Sequence, residues 1–182
     1  MSLIDTNLLI DAMVYYESIG YKPIASPMLV DKDVVELTLP KGNMAREHLG
    51  KYYVGSAEQS FYQLIKDGFN PFGSYMLITP CERDEIIDET HFGIFLKVEL
   101  VSTVKSCAEV CHDVDYFYSK KGFSSEVIPI GNSFDIEIGG IEVGSFGERV
   151  YKGNKIAFGT GLALPRITQA IKRFTNEQRI HE

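Results

Sequence analysis

The fold is decided by two β-prone runs, SYMLITPC at residues 74–81 and FGIFLKVELV at residues 92–101. Both runs are rich in β-branched and aromatic residues, which fit the pleated surface of a sheet. A polar, acidic stretch at residues 82–89 separates them. This arrangement predicts two neighbouring antiparallel strands that are joined by a long polar loop.

The segments around this pair predict further helices and strands. Helical spacing of apolar residues marks four segments, at residues 5–20, 57–67, 103–121 and 164–174. Short β-prone segments lie at residues 34–39, 52–54, 126–129, 133–138, 141–145 and 155–158. Because strands outnumber helices and hairpins are the expected connections, the sequence predicts an α+β fold, an antiparallel β-sheet flanked by helices. No repeat or linker interrupts the sequence, so residues 1–182 are expected to form a single domain.

The composition is that of an ordinary soluble domain, with 45% hydrophobic and 24% charged residues. No apolar run reaches the roughly 20 residues that cross a bilayer, so no membrane partner is expected. The N-terminus lacks the basic and apolar regions of a secretory signal, which favours a cytoplasmic location. A net charge of −7 disfavours a large surface for a polyanion.

An arginine after the first long strand is the first candidate for chemistry. Arg83 can present its planar guanidinium fork to a phosphate. On the next long strand, Phe95, Lys97 and Glu99 share one face because side chains alternate with period two. A ring beside a charged pair could act as a shelf for a purine base. A surface charge cluster remains the alternative interpretation of residues 81–85.

A second arginine follows a glycine-rich segment, GTGLALPRI at residues 159–167. Glycines there could let a ligand approach the backbone closely. Arg166 could then lie over the second face of a stacked base and reach a terminal phosphate. Pro165 is sterically acceptable in the first turn of the following helix.

Carboxylates and a hydroxyl group recur between these two regions. Alternation puts Asp135 and Glu137 on one face of their strand, and Glu142 lies three residues before Ser145 on the next. Carboxylates and a hydroxyl group are hard oxygen ligands, suited to a Mg²⁺ ion that also contacts phosphate oxygens. The alternative is that they are exposed polar residues of hairpins. The sequence therefore contains the parts of a metal–nucleotide site in several separate segments.

In this order, the segments resemble the three sequence motifs of class II aminoacyl-tRNA synthetases. GYKPIASPML at residues 20–29 resembles motif 1, and ERDE at residues 82–85 resembles the FRxE signature of motif 2, with Glu82 where the family usually has Phe. Residues 159–167 resemble motif 3, in which Pro165 replaces a more usual small or acidic residue. Motifs 2 and 3 are closest to seryl-type enzymes, and residues 134–149 are closest to aspartyl-type enzymes.

The resemblance implies a role for each candidate residue in the nucleotide site. Arg83 would bind the α-phosphate and the activated carboxylate, and Arg166 the adenine face and the γ-phosphate. Three further residues would complete the nucleotide site: Glu85 at the adenine edge or acceptor end, His91 at the γ-phosphate and Phe95 under the adenine. The metal would be held by Glu142, Ser145 and Asp135.

Two residues are implied at the amino-acid end of the site. GSAE at residues 55–58 is similar to the loop that grips the substrate ammonium group, which would be bound by Glu58. Glu58 could equally be a first-turn acid that the helix dipole favours, with Ser56 as the N-cap. Arg149 corresponds to a residue that reads the substrate side chain in aspartyl-type enzymes.

Together these features predict a class II synthetase-like catalytic domain over residues 1–182. It is expected to use ATP and Mg²⁺ to activate an amino acid or similar carboxylate as an acyl-adenylate. The acceptor could be tRNA, a carrier protein or a small amine, and the motif 1 segment implies a homodimer. The alternative is a non-catalytic paralogue, a dimeric protein that binds a nucleotide, an amino acid or a partner for regulation.

Overall fold

The computed structural model describes residues 4–40, 43–84, 88 and 91–180, of which residues 176–180 are described by backbone alone. The described helices are α1 (Thr6–Ser18), α2 (Lys32–Val35), α3 (Ala57–Lys66), α4 (Cys107–Lys120) and α5 (Arg166–Ile180). The described strands are β1 (Lys22–Pro23), β2 (Leu29–Val30), β3 (Glu47–His48), β4 (Lys51–Tyr53), β5 (Ser74–Glu82), β6 (Ile94–Ser102), β7 (Glu126–Ile130), β8 (Ser133–Ile138), β9 (Ile141–Tyr151) and β10 (Asn154–Leu164).

A seven-stranded sheet in the order β1-β5-β6-β10-β9-β8-β7 forms the centre of the molecule. All neighbouring strands in it are antiparallel except the short pair β1 and β5. The strands β2, β4 and β3 form a second, small sheet. The predicted α+β fold and the predicted antiparallel pairing of β5 with β6 are therefore confirmed.

The two faces of the large sheet carry two separate hydrophobic clusters. One face packs against α1, α4 and α5, with Tyr16, Phe117 and Leu100 fully buried there. The other face packs against α2 and α3, with Phe61 and Val101 fully buried. Because α2 and α3 are short, they cover this second face only in part, and polar side chains line the remainder.

Side-chain caps fix where the longer helices begin. The carboxylate of Asp5 accepts a hydrogen bond from the Leu8 N–H at 3.0 Å and starts α1, as the sequence predicts. Ser106 and Glu109 form a capping box, so α4 begins at Cys107 instead of the predicted Thr103. Among the described residues, no helix is long and apolar enough to span a bilayer.

The strand predicted for residues 34–39 is wrong. This segment holds the end of α2 and a turn, and the adjacent residues Val34 and Val35 are both buried. The start of α2 is held by α3, because Gln63 Oε1 accepts a hydrogen bond at 2.9 Å from the N–H of Asp31, the N-cap residue of α2. Lys66 Nζ also lies 2.9 Å from the Asp31 carboxylate.

The glycines of β10 make room for core rings. A Cβ atom on Gly159 would lie 2.0 Å from Cδ1 of Phe146, its cross-strand neighbour. A Cβ atom on Gly161 would lie 3.0 Å from the ring of Tyr16. Both positions face the helix-covered side of the sheet, so the expectation that these glycines admit a ligand is wrong.

We therefore expect Gly159→Ala to destabilise the protein by about 1–3 kcal/mol, because the Phe146 ring must leave its packed position. The free energy of unfolding can be measured by denaturant titration with far-ultraviolet circular dichroism. Gly55→Ala is the matched control, since its Cβ would meet nothing closer than 3.5 Å. Equal stability of the two variants would contradict the packing argument, and Phe146→Leu should restore part of the loss in Gly159→Ala.

Candidate functional site

Two adjoining cavities open on the incompletely covered face of the large sheet. The first, here called the α3 cavity, measures about 290 Å³ and is lined by Glu58 and Gln59 of α3 together with Arg149 and Phe158. The second, the α5 cavity, measures about 260 Å³ and has a lining that includes Phe95, Glu142 and Arg166. Three residues line both cavities: Arg83, Lys97 and Ser145. The two spaces therefore meet along the centre of the sheet.

Arg83 is held in place from two sides. Its Nε donates a hydrogen bond to the Gly55 carbonyl oxygen at 2.8 Å, and its guanidinium carbon lies 5.1 Å from the ring centroid of Phe95. Its backbone N–H donates to the Gly93 carbonyl oxygen at 2.9 Å. The hydrogen bond to Gly55 uses only the Nε–H of the guanidinium group. The N–H groups on its two terminal nitrogens can therefore donate to a ligand where the two cavities meet.

Glu142 and Arg166 face each other across the α5 cavity. Arg166 Nη1 lies 3.7 Å from Glu142 Oε1. Burial and the nearby Asp135 charge raise the pKa of Glu142, and the Arg166, Arg83 and Lys97 charges act in the opposite direction. Two acids and three cations thus share this part of the site.

Of the three predicted metal ligands, Glu142 and Ser145 line the α5 cavity. Asp135 lies on β8, directly across from Ser145 on β9. Within the described ranges, no group of three or more His, Cys, Asp and Glu side chains forms a metal-binding cluster. Any ion here would need oxygen atoms from a ligand as well as from the protein.

Glu58 lies at the inner end of the α3 cavity and is only 5% exposed. Tyr62 donates its hydroxyl hydrogen to Glu58 Oε1, and Arg149 Nη1 donates to the same oxygen at 2.9 Å. The Arg149 guanidinium also stacks on Phe158, 5.4 Å from the ring centroid. Burial raises the pKa of Glu58 to about 7, although Arg149 and Tyr62 act to lower it.

Ser56 connects the start of α3 to β6. Its hydroxyl accepts the Glu58 N–H at 3.4 Å as the N-cap, and it donates to Glu99 Oε2 at 2.7 Å. Lys97 Nζ lies 2.6 Å from the same Glu99 oxygen and 3.0 Å from Ser56 Oγ. The predicted shared face of Phe95, Lys97 and Glu99 is confirmed: Lys97 lines both cavities, Glu99 lines the α3 cavity and Phe95 lines the α5 cavity.

One predicted nucleotide residue, His91, is not brought into the cavities. His91 is exposed, with Nδ1 2.8 Å from Asp88 Oδ2, and it lines neither cavity. Glu85 lies outside the described residues. The predicted residues that do share the α5 cavity are Arg83, Phe95, Glu142, Ser145 and Arg166.

Sequence reasoning missed Gln59, which is 2% exposed. Its Oε1 accepts the Gly55 N–H at 2.7 Å, and its Nε2 donates to the Thr38 hydroxyl at 2.6 Å and to the Val35 carbonyl at 3.1 Å. Gln59 thereby ties the wall of the α3 cavity to the loop that holds Arg83. The sequence signal that could have found Gln59 is its position in the first turn of the predicted helix at residues 57–67, directly after Glu58.

This sheet, with its flanking helices and its cavities on one face, is the fold of the class II aminoacyl-tRNA synthetase catalytic core. Among solved structures, the chain is similar to a pyrrolysyl-tRNA synthetase from Desulfitobacterium hafniense, with a TM-score of 0.73, 12% identity and coverage of 92% of this chain and 68% of that one. It is also similar to a seryl-tRNA synthetase from Pyrococcus horikoshii complexed with ATP, with a TM-score of 0.75 and 17% identity over 92% of this chain and 50% of that one.

A cytoplasmic serine-tRNA ligase from Naegleria fowleri in complex with AMP gives a TM-score of 0.69 and 16% identity over 90% of this chain and 52% of that one. The chain thus spans about half the length of the two seryl-type proteins. Comparisons of the sequence with known protein families and with curated proteins find no match. At these identities the likeness establishes the fold, which is the predicted one.

The buried carboxyl group of Glu58 gives a testable pH dependence. Its pKa is raised from 4.5 to about 7 in the folded state, so its contribution to stability is present below pH 4.5 and is lost as the pH rises towards 7. Relative to Glu58→Gln, the wild type should lose about 3 kcal/mol of unfolding free energy between pH 4.5 and pH 7.5.

Denaturant unfolding at a series of pH values measures this difference. Glu17→Gln, on the exposed side of α1, is the control and should parallel the wild type. A constant difference between wild type and Glu58→Gln across this pH range would show that Glu58 ionises normally.

Proposed function

We propose that this chain uses ATP to activate an amino acid or a similar carboxylate as an acyl-adenylate. The observation that carries the proposal is the convergence of Arg83, Phe95 and Arg166 on one cavity, although they come from β6 and from segments on either side of it. A fold alone does not require two arginines and a ring at the same place. The seryl-type neighbours that were solved with ATP and with AMP support a nucleotide in this cavity.

In the proposed reaction, a carboxylate oxygen of the substrate attacks the α-phosphorus of ATP and pyrophosphate leaves. The α5 cavity would hold the nucleotide, with adenine between Phe95 and Arg166. Arg83, which lines both cavities, would contact the α-phosphate and the carboxylate. Catalysis would come from positioning and from charge neutralisation, so no protein nucleophile is needed.

Mg²⁺ fits the oxygen ligands on β8 and β9. Glu142 and Ser145 line the α5 cavity and Asp135 is the cross-strand neighbour of Ser145. The nearby Asp135 charge contributes to the raised pKa of Glu142, and a cation between the two acids would relieve that repulsion. Mg²⁺ is usually held by one or two carboxylates plus phosphate oxygens, and it would neutralise phosphate charge when bound.

The α3 cavity would hold the amino acid. Glu58 is the proposed partner of its ammonium group, which would share the carboxylate with Arg149 and Tyr62. The Arg149 side chain is 37% exposed, so its other N–H groups could read an acceptor on the substrate side chain. The sequence of this site resembles seryl-type enzymes in motifs 2 and 3 and aspartyl-type enzymes at residues 134–149. An activity assay with each amino acid in turn identifies the substrate.

The remaining parts of the proposal follow from the synthetase-like core. Residues 1–182 would act as one catalytic domain, located in the cytoplasm and paired as a homodimer through the segment at residues 20–29. The acceptor of the activated carboxylate would be tRNA, a carrier protein or a small amine. His91, which lines neither cavity, would act at the γ-phosphate from outside them, and Glu85 would act at the adenine edge or the acceptor end.

A non-catalytic paralogue that binds a nucleotide or an amino acid is the second candidate. The observation in its favour is the Glu58–Arg149 ion pair, which already occupies the carboxylate assigned to the ammonium group. A protein that only senses a ligand could retain such a pair. The two candidates differ in whether a bound carboxylate is activated.

Exchange of labelled pyrophosphate into ATP separates these candidates. We expect exchange that depends on one amino acid of the standard set, on Mg²⁺ and on ATP, because adenylate formation is reversible. The assay should be run with each amino acid alone, with enzyme omitted as the control. Protein that binds ATP but shows no exchange with any amino acid would favour the non-catalytic paralogue.

Arg83→Ala and Arg166→Ala should each weaken ATP binding by about tenfold or more, because each removes a charged hydrogen-bond donor from the phosphates. Isothermal titration calorimetry measures the dissociation constants. Arg173→Ala is the matched control, since Arg173 lies on the same helix as Arg166 but lines a different cavity. Unchanged ATP affinity in both test variants would remove the nucleotide assignment of the α5 cavity.

A further inference from the structure

Lys97 is a buried cation at the point where the two cavities meet. It lies in the middle of β6, its side chain is 9% exposed, and it lines both the α3 cavity and the α5 cavity. A lysine on a central strand is unusual, because lysine is rarely buried without a partner or a purpose. Because Lys97 lines both spaces, its side chain borders the place where they adjoin.

The ammonium group of Lys97 has hydrogen-bonding capacity to spare. Two of its three N–H groups are directed at Glu99 Oε2 and at Ser56 Oγ. No other acceptor among the described residues contacts Lys97 Nζ, so one donor is left for a ligand. The neighbouring Glu99 Oε1 is also buried and has no hydrogen-bond partner in the described part of the chain. A buried polar group with an open position is costly unless a ligand fills it.

Lys97 borders both ends of the site. It lines the α3 cavity together with Glu58 and the α5 cavity together with Glu142. Glu58 and Glu142 are the acids assigned to the amino acid and to the metal. Lys97 therefore lies where the carboxylate and the α-phosphate would react.

We propose that Lys97 is a further catalytic residue, which donates its third hydrogen bond to a nonbridging oxygen of the α-phosphate. This inference rests on the proposed function. As the carboxylate oxygen bonds to the α-phosphorus, the bond to the bridging oxygen breaks and pyrophosphate leaves with the electron pair. Lys97 keeps its proton throughout and neutralises charge on the phosphorus oxygens, and it is held for this by Glu99 and Ser56.

Binding of adenosine 5′-monophosphate and of adenosine tests the assignment without turnover. The ratio of the two affinities measures contacts to the α-phosphate alone, because the base and ribose are common to both ligands. Lys97→Met by itself leaves Glu99 buried without a counter-charge and can unfold the chain. The main variant is therefore Lys97→Met combined with Glu99→Gln, and Glu99→Gln alone is the matched control that retains the ammonium group.

We expect the wild type to prefer the monophosphate over adenosine, and the double variant to lower that preference by about tenfold or more. Adenosine affinity should stay the same, and Glu99→Gln alone should lower the preference less than the double variant does, because the amide oxygen can still accept a hydrogen bond from the Lys97 ammonium group. A double variant with the wild-type preference overturns the role of Lys97 and leaves the proposed function standing. Wild-type protein that binds neither ligand, or both equally, overturns the nucleotide site and the role of Lys97 together.

Discussion

Alternation of side chains along β6 is the constraint on which both the fold and the site depend. Val98 and Leu100 are buried against the helices on one face, while Lys97 and Glu99 face the cavities on the other. Because β6 lies between β5 and β10, hydrogen bonds on both sides hold its register. A shift of one residue would place both charges under α4 and apolar groups in the cavities. The register that builds the core therefore also builds the site.

Buried charge on the second face adds little stability to the fold. Lys97, Glu99 and Glu58 are largely withdrawn from water, whereas the Arg149 side chain is 37% exposed, and such ion pairs add little stability compared with well-packed apolar residues. Each pair also borders a cavity with hydrogen-bonding capacity that faces inwards. A sheet that served only as a scaffold would carry apolar side chains here, so the charges are best explained by a ligand.

The sequence predicts those elements whose signals are local. The pair β5 and β6 has strong alternating apolar patterns, and α1 has an acidic cap beside its apolar repeat, so both are recognisable without tertiary contacts. Residues 34–39 alternate in the same way, yet they form a helical turn because Asp31 is fixed by Gln63 and Lys66 of α3. The alternation of apolar and polar residues in a short segment does not show which side chains from distant parts of the sequence will contact the residues at its ends.

The glycines near the site are a second case in which a local sequence pattern does not show the tertiary contact that determines the structure. In sequence, the glycines that precede Arg166 lead to the expectation of a ligand close to the backbone, and no sequence signal shows what lies across the sheet from Gly159. Only the cross-strand position of Phe146 decides, and it places the ring where a side chain of Gly159 would be. Thr160, one residue further along, faces the α5 cavity instead. The glycine-rich segment therefore supports the fold, and the case for a nucleotide depends on Arg83, Arg166 and Phe95. The positions of these residues relative to one another come from strand register and not from any single motif.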